Sequence, residues 1–347
     1  MNEGMNRRNF LKYSMATGVL MAAGESLIGR VMADDAVKMQ EVDKLTIWSV
    51  VDNYYDLMRP DNKIAKRYRS VPGKSLHAEH GLCFYAETVV DGKTSACMFD
   101  YALDPAVVMN NIALLGLDIG KVNAFGLSHG HWDHYGTAVS TLKQNQSRIT
   151  AGTPFYVGEE AFAHRFQIRP GATEPSDIGR LQRSELEAIG LKVVEVQAPT
   201  QIIPGAFLSG KIERHTSYEK VPLNNLIKRG EKPEVDDMRG EQALFFNVKG
   251  KGLVVLTGCA HSGIVNTVRH AQKVSGTEKV HAIMGGFHLV NAKAEIIQST
   301  ISDIKAIKPD YIVPGHCIGF EALVAFHKEM PDAFTINTSG SKYTFGA

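Results

Sequence analysis

Seven consecutive residues, Ser128-His129-Gly130-His131-Trp132-Asp133-His134, hold three imidazoles and a carboxylate directly after the strand-like run Val122-Asn123-Ala124-Phe125-Gly126-Leu127. Donor groups packed that densely serve neither an apolar core nor an ordinary solvated loop, so the chain must fold to present them at one point where a buried strand ends. Two histidines at i and i+2 in an extended loop point their rings to the same side, and Gly130 lets the backbone turn tightly between them. Asp133 and His134 then turn toward a second position a few ångströms away, the spacing at which two metal ions share a water.

The surrounding pattern alternates short strand-like runs with helical ones, the sign of layered α/β structure. Leu45–Val51, Leu82–Thr88 and Ser95–Asp100 read as strands, the last two flanking an Asp91-Gly92 hairpin turn. A helix is predicted over Pro105–Leu115 and an amphipathic one over Ala292–Ile307, with Ile296, Ile297, Ile301, Ile304 and Ile307 on one stripe. Ala243–Val248 and Leu253–Leu256 form a second hairpin, and a helix N-capped by Ser262 follows it. The Pro- and Gly-punctuated stretch 153–225 is expected to be the least regular and to rim a pocket. Three strand ends present histidines: His129–His134, His261 after Thr257-Gly258-Cys259-Ala260, and His316 after Tyr311-Ile312-Val313-Pro314-Gly315.

A chain of 347 residues, 44% hydrophobic and 22% charged, is ordinary globular composition, with no repeat of solenoid or propeller length. A formal charge of +1 gives no basic field for nucleic acid or an anionic membrane, so neither is expected as a partner. Four scattered cysteines, none in a CxxC pair, make no disulfide framework. Asn6-Arg7-Arg8-Asn9-Phe10-Leu11-Lys12, followed by a mildly apolar stretch containing Glu25, reads as a twin-arginine (Tat) export signal cleaved after Ala33. Its apolar run of about 15 residues is short of the roughly 20 needed to span a bilayer. The expected organisation is therefore a signal peptide over 1–33 and one hydrolase domain over 34–347, delivered to the periplasm or secreted, with no membrane association after cleavage.

The 129–134 segment resembles the HxHxDH signature of the metallo-β-lactamase superfamily, and the resemblance runs from about Leu45 to Thr344. It implies a four-layer αβ/βα sandwich with metal ions at one edge. Members commonly place a ligand histidine mid-chain and a bridging aspartate after a Gly; here Val193–Leu208 has no histidine, so His261 is expected in its place, and Cys259 stands where the aspartate would. Cys259 either ligates as a thiolate or sits behind the site as a small buried residue. Thr257-Gly258-Cys259-Ala260-His261-Ser262-Gly263-Ile264-Val265-Asn266-Thr267, Gly285-Gly286-Phe287-His288-Leu289, His316-Cys317, Ala78-Glu79-His80-Gly81-Leu82 and Ser209-Gly210-Lys211-Ile212 are similar to the dihydropterin-ribofuranosylaminobenzene-phosphate synthase-like metallohydrolases.

That resemblance implies His129, His131 and His261 around one ion and Asp133, His134 and His316 around another, with Asp133 also orienting the nucleophile and moving its proton. The ions are expected to be zinc, two per chain, with iron or manganese the other metals such donors accept. His288 and His80, each near glycines, are expected to face a small-molecule substrate or to support the ligands. His77, His164, His215, His270, His281 and His327 have no motif context and read as surface or core residues. Hydrolysis of an ester, lactone, amide or phosphoester is the leading reading. An iron-dependent redox enzyme, a non-catalytic metal-binding protein and a β-lactamase are the alternatives. The pterin condensation is not carried over, because an exported protein is displaced from cytoplasmic cofactor synthesis.

Overall fold

The computed structural model describes residues 37–169 and 171–347. The signal peptide expected over 1–33 lies outside them. Two large sheets dominate. The first has eight strands, in the order Lys192–Val196, Pro154–Gly158, Ala124–Gly126, Lys93–Phe99, Cys83–Val90, Lys44–Val51, Ser341–Gly346 and Ala65–Arg67. The second has seven: Thr200–Ile203, Ala206–Leu208, Ala243–Val248, Gly252–Thr257, Val280–Gly286 and Tyr311–Gly315 in order, with Glu41–Val42 paired in parallel to Ala243–Val248.

Period-two patterning buries both faces of each sheet. In Ala243–Val248, Leu244 and Phe246 point into the core between the sheets while Phe245 points to the outer helices; Val254 and Leu256 face inward and Val255 outward on the next strand. The inter-sheet core is completed from the other side by Leu45, Ile47, Phe84, Phe99 and Phe345. On the outer face of the eight-stranded sheet lie Val108 and Ile112 of the helix Pro105–Leu115, with Ala138, Leu142 and Leu186. The seven-stranded sheet is covered by the helices Ile264–Ser275, Ala294–Ile307 and Phe320–Glu329, through Val265, Val268, Ile297, Ile301, Ile304 and Phe326. Each fully buried side chain of this size contributes about 1.5–3 kcal/mol by leaving water. The layers run helix, sheet, sheet, helix, as the resemblance implied.

Two expectations are corrected. The stretch 153–225 is more regular than its prolines suggest: it supplies edge strands to both large sheets and, with Arg165–Gln167, Ser176–Gly179, Asn225–Lys228 and Pro233–Val235, a separate four-stranded sheet. Pro175, Pro199 and Pro204 fall in the turns that bound the strands, so the punctuation marks strand ends and not a lack of strands. Ser262 is not the N-cap. The helix starts at Ile264 with Gly263 at the cap position (φ 97°), and the free amides of Val265 and Asn266 donate to the carboxylate of Glu219 at 2.9 and 3.0 Å. A Cβ on Gly263 would lie 2.3 Å from that carboxylate, so the remote cap requires glycine here. Among the described residues no helix is long and apolar enough to cross a membrane.

Candidate metal centre

The first donor loop leaves the strand Ala124–Gly126 and closes with the short helix Trp132–Tyr135. Its position is set by Asp100, a fully buried carboxylate that accepts from the Ser128 amide (2.7 Å) and hydroxyl (2.8 Å) and lies 2.7 Å from His134 Nδ1. Ser128 Oγ is in turn 2.9 Å from His129 Nδ1. These bonds fix the ring orientations and leave the Nε2 atoms of His129 and His134 facing inward, the arrangement by which outer carboxylates orient metal-binding imidazoles. Gly130 serves close approach: a Cβ there would fall 2.3 Å from Nη1 of the buried Arg165, whose guanidinium donates to Gly130 O (3.3 Å) and pairs with Asp236 (2.7 Å). Gly258 is needed for the same reason, since its Cβ would strike Ser128 Oγ at 2.2 Å.

The remaining donors come from the ends of three neighbouring strands of the other sheet, Gly252–Thr257, Val280–Gly286 and Tyr311–Gly315, which run parallel and so deliver their C-terminal loops to the same edge. Buried carboxylates again hold the loops. Glu241 accepts from the amides of His261 and Ser262, both at 2.6 Å, and Asp52 accepts from the His316 amide at 2.8 Å and from Asn337 Nδ2. Ala260, His288 and His316 sit at φ 60°, 42° and 48°, and Asp100 at 61°. Each such non-glycine residue costs on the order of 1–3 kcal/mol and persists only where surrounding contacts enforce it.

The donors converge. Ligand atoms of Asp133, His134, Cys259 and His316 lie within 4.8 Å of one another, as do those of His129, Cys259 and His261. Cys259 Sγ belongs to both sets and is 3.1 Å from His134 Nε2. The His131 ring packs at 4.6 Å from that of His129 and 4.8 Å from that of His261, beside the second set but outside its tightest grouping. Asp133 Oδ2 is 3.4 Å from His316 Nε2 and 3.6 Å from Nε2 of the exposed His80, whose ring stacks on that of His316 at 5.1 Å. The His288 ring lies 4.0 Å from that of His261, and both line a cavity of about 450 Å³ that also has Gln167, Tyr218, Lys220 and Asn224 on its wall.

The donors fit divalent cations. His129 Nε2, His131 Nε2 and both ring nitrogens of His261 and of His316 are buried without a hydrogen-bond partner. An unsatisfied buried polar group costs about 1–3 kcal/mol, and so many at one point call for a shared partner. Burial pushes the His129 and His261 imidazoles well below their usual range and His131 to about 3, which keeps them neutral, the form that ligates. For Asp133 burial opposes the charge, but His134 and His316 prevail and hold its carboxyl far below the usual range. Burial likewise opposes charge on His316, yet Cys317 and Asp133 raise it to about 9. A second acidic group, Glu160, Asp236 and Asp237, is neutralised by Arg229, Arg165 and Arg239.

A solved structure described as a metal-dependent hydrolase of the β-lactamase superfamily superposes with a TM-score of 0.67 at 22% identity, over 87% of this chain and all of the other. The chain has the metallo-β-lactamase fold. Within that fold it is similar to the 7,8-dihydropterin-6-methyl-4-(β-D-ribofuranosyl)-aminobenzene-5'-phosphate synthase of Methanocaldococcus jannaschii, 29% identical over 85% of this chain and 94% of that protein. An uncharacterized protein of the same organism is 27% identical over 72% of this chain and 88% of its own length. No protein-family model matches the chain.

The metallo-β-lactamase fold thus brings together every residue expected at the site, and several that sequence reasoning missed. Asp52, Asp100, Glu241 and Arg165 act on the loops from distant positions and carry no local motif. Cys317 adjoins His316 in sequence but was not singled out as a donor. His270, without motif context, is a core residue with Nε2 at 3.2 Å from Ser209 O, while His77, His215 and His327 are exposed.

Proposed function

We propose that this protein is a metal-dependent hydrolase that acts on a small molecule with an ester, lactone, amide or phosphoester centre. The observation that carries the reading is the convergence of donors from both sheets on a point where ring nitrogens are buried and unpartnered, beside a cavity of substrate size. His129, His261 and Cys259, with His131 adjacent, would hold one ion and Asp133, His134, His316 and Cys259 the other. Bound there, zinc or a similar ion would supply activated water and Lewis-acid polarisation. The chain's own contribution is positional. Asp100, Glu241 and Asp52 keep the donors aimed, and Asp133, held ionised, is an acceptor able to orient a water toward a substrate in the cavity. Lys220 and the amides of Gln167 and Asn224 offer polar contacts, and Phe287, Leu289 and Ile296 an apolar wall, so the cavity suits a ligand with one polar and one hydrophobic side.

Metal analysis of purified protein, followed by assay against phosphodiester, lactone, thioester and β-lactam panels before and after chelation, tests the reading. About two zinc-like ions per chain and a chelator-sensitive hydrolysis are expected; a chain without transition metal after expression in zinc-supplemented medium defeats it. The similarity to a synthase supports a second reading in which the same centre promotes a condensation, and product analysis separates the two. Export through the Tat route is proposed from Arg7-Arg8 and the short apolar run. Changing both arginines to lysine should leave the precursor in the cytoplasm, and unaltered export of that variant rejects this route.

A further inference from the structure

We infer that Cys259, His288 and Cys317 form a third ligand set, for a thiophilic divalent cation, which shares the Cys259 sulfur with the two-ion centre. The inference rests on the proposed reading only through that shared sulfur. The three residues follow three adjacent parallel strands, so the sheet topology places their loops side by side, and their ligand atoms lie within 4.8 Å of one another. Both cysteines are free and buried, with Cys317 Sγ 3.5 Å from Cys259 O.

Two features separate this trio from a pair of small buried residues beside a histidine. His288 is held in the left-handed region at φ 42°, a conformation that surrounding contacts must enforce, with Nδ1 buried and unpartnered. Gly286 is the second: a Cβ there would lie 2.8 Å from Cys317 Sγ and 2.3 Å from Gly258 O, so the backbone gives up a side chain where the sulfur sits. Two thiolates and an imidazole are a soft donor set, suited to Zn²⁺ or Cd²⁺ and poorly suited to Mg²⁺ or Ca²⁺. His288 also lines the cavity of about 450 Å³, which is the route of entry.

Cadmium titration of the purified protein tests this, read by thiolate-to-cadmium charge-transfer absorption and by elemental analysis after desalting. The wild-type protein should retain one more ion per chain than Cys317→Ser or His288→Asn, and the absorption should drop to about half in Cys317→Ser as one of two thiolates is lost. Asparagine tolerates a left-handed backbone, so His288→Asn keeps the loop even where the serine variant fails to fold. Gly286→Ala, which leaves all three donors in the chain but displaces the sulfur, should lose the same ion. In His129→Ala, a sulfur-ligated ion that is lost when Cys317→Ser is added supports the third set independently of the hydrolase reading, because Cys317 belongs to neither of the other two sets. Equal ion counts and undiminished absorption in Cys317→Ser and His288→Asn overturn the inference and leave the two-ion centre standing. A wild-type chain that takes up no cadmium overturns both.

Discussion

The two halves of the site are built differently. On the eight-stranded sheet the donors arrive together, His129, His131, Asp133 and His134 in one loop closed by a single helical turn and pinned by Asp100 through the Ser128 amide and hydroxyl and the His134 ring. On the seven-stranded sheet they arrive singly or in pairs from three loops, which contain the left-handed residues Ala260, His288 and His316, and two of the three loops are held through backbone amides by Glu241 or Asp52. The contiguous loop gathers its four donors within one turn and takes its anchor from Asp100. The dispersed donors exist as a set only because three strands run parallel to a common edge. A chain can mutate the first loop one residue at a time, but the second half depends on the register of an entire sheet.

Removing one donor from each half shows whether the contiguous loop binds metal alone. His129→Ala and His261→Ala should each reduce metal affinity by far more than the ~10- to 100-fold typical of outer residues, measured by competition with a chelator. His327→Ala, on an exposed surface, is the control and should change nothing. Full occupancy in His261→Ala would show that the dispersed half is not a ligand half at all. A smaller effect tests the anchors. Glu241→Gln keeps one acceptor for the His261 and Ser262 amides but loses the charge-assisted bond to the other, and should lower metal affinity by roughly 10- to 100-fold with little change in secondary structure by circular dichroism. An unchanged affinity would mean that the left-handed turn at Ala260 holds itself.

The smallest effect concerns the frame behind the dispersed half. Burial, against smaller opposing effects of Ser209 O and Glu213, holds His270 below the ordinary histidine pKa of 6.5. The unfolded chain therefore binds the extra proton first, so the stability His270 contributes is full above about pH 6.5 and is lost as pH falls through its lowered folded value. Urea unfolding at several pH values should show wild type losing more stability than His270→Gln on going from pH 8 to pH 5. Parallel pH profiles would place His270 in solvent.

The uneven legibility of the site follows from the same contrast. The strands Ala243–Val248 and Lys44–Val51 were readable as short apolar runs, and the helix Pro105–Leu115 as a helical run opened by proline, because both signals are local chemistry. The 129–134 loop was readable because its donors are neighbours in the chain. His261 and His316 could be placed by strand-end position and resemblance together. Asp52 and Glu241 could not, since a carboxylate that accepts backbone amides 264 or 20 residues away leaves no periodicity in the sequence. Glu219, which accepts from the Val265 amide 46 residues on, misled the Ser262 expectation for the same reason.

Because the donors are drawn from both sheets, the centre sits on the seam between the two halves of the sandwich, and Cys259 is common to both sets. A cation bound there is a clasp as well as a reagent. It binds only the assembled pair of sheets, so its free energy adds to folding as RT ln(1 + [ion]/Kd), about 4 kcal/mol at a thousandfold excess over Kd. With an ion bound, the halves that the inter-sheet core holds by area would also be fastened at one edge by coordination, and its loss would loosen that edge before the far one, which is closed by apolar packing.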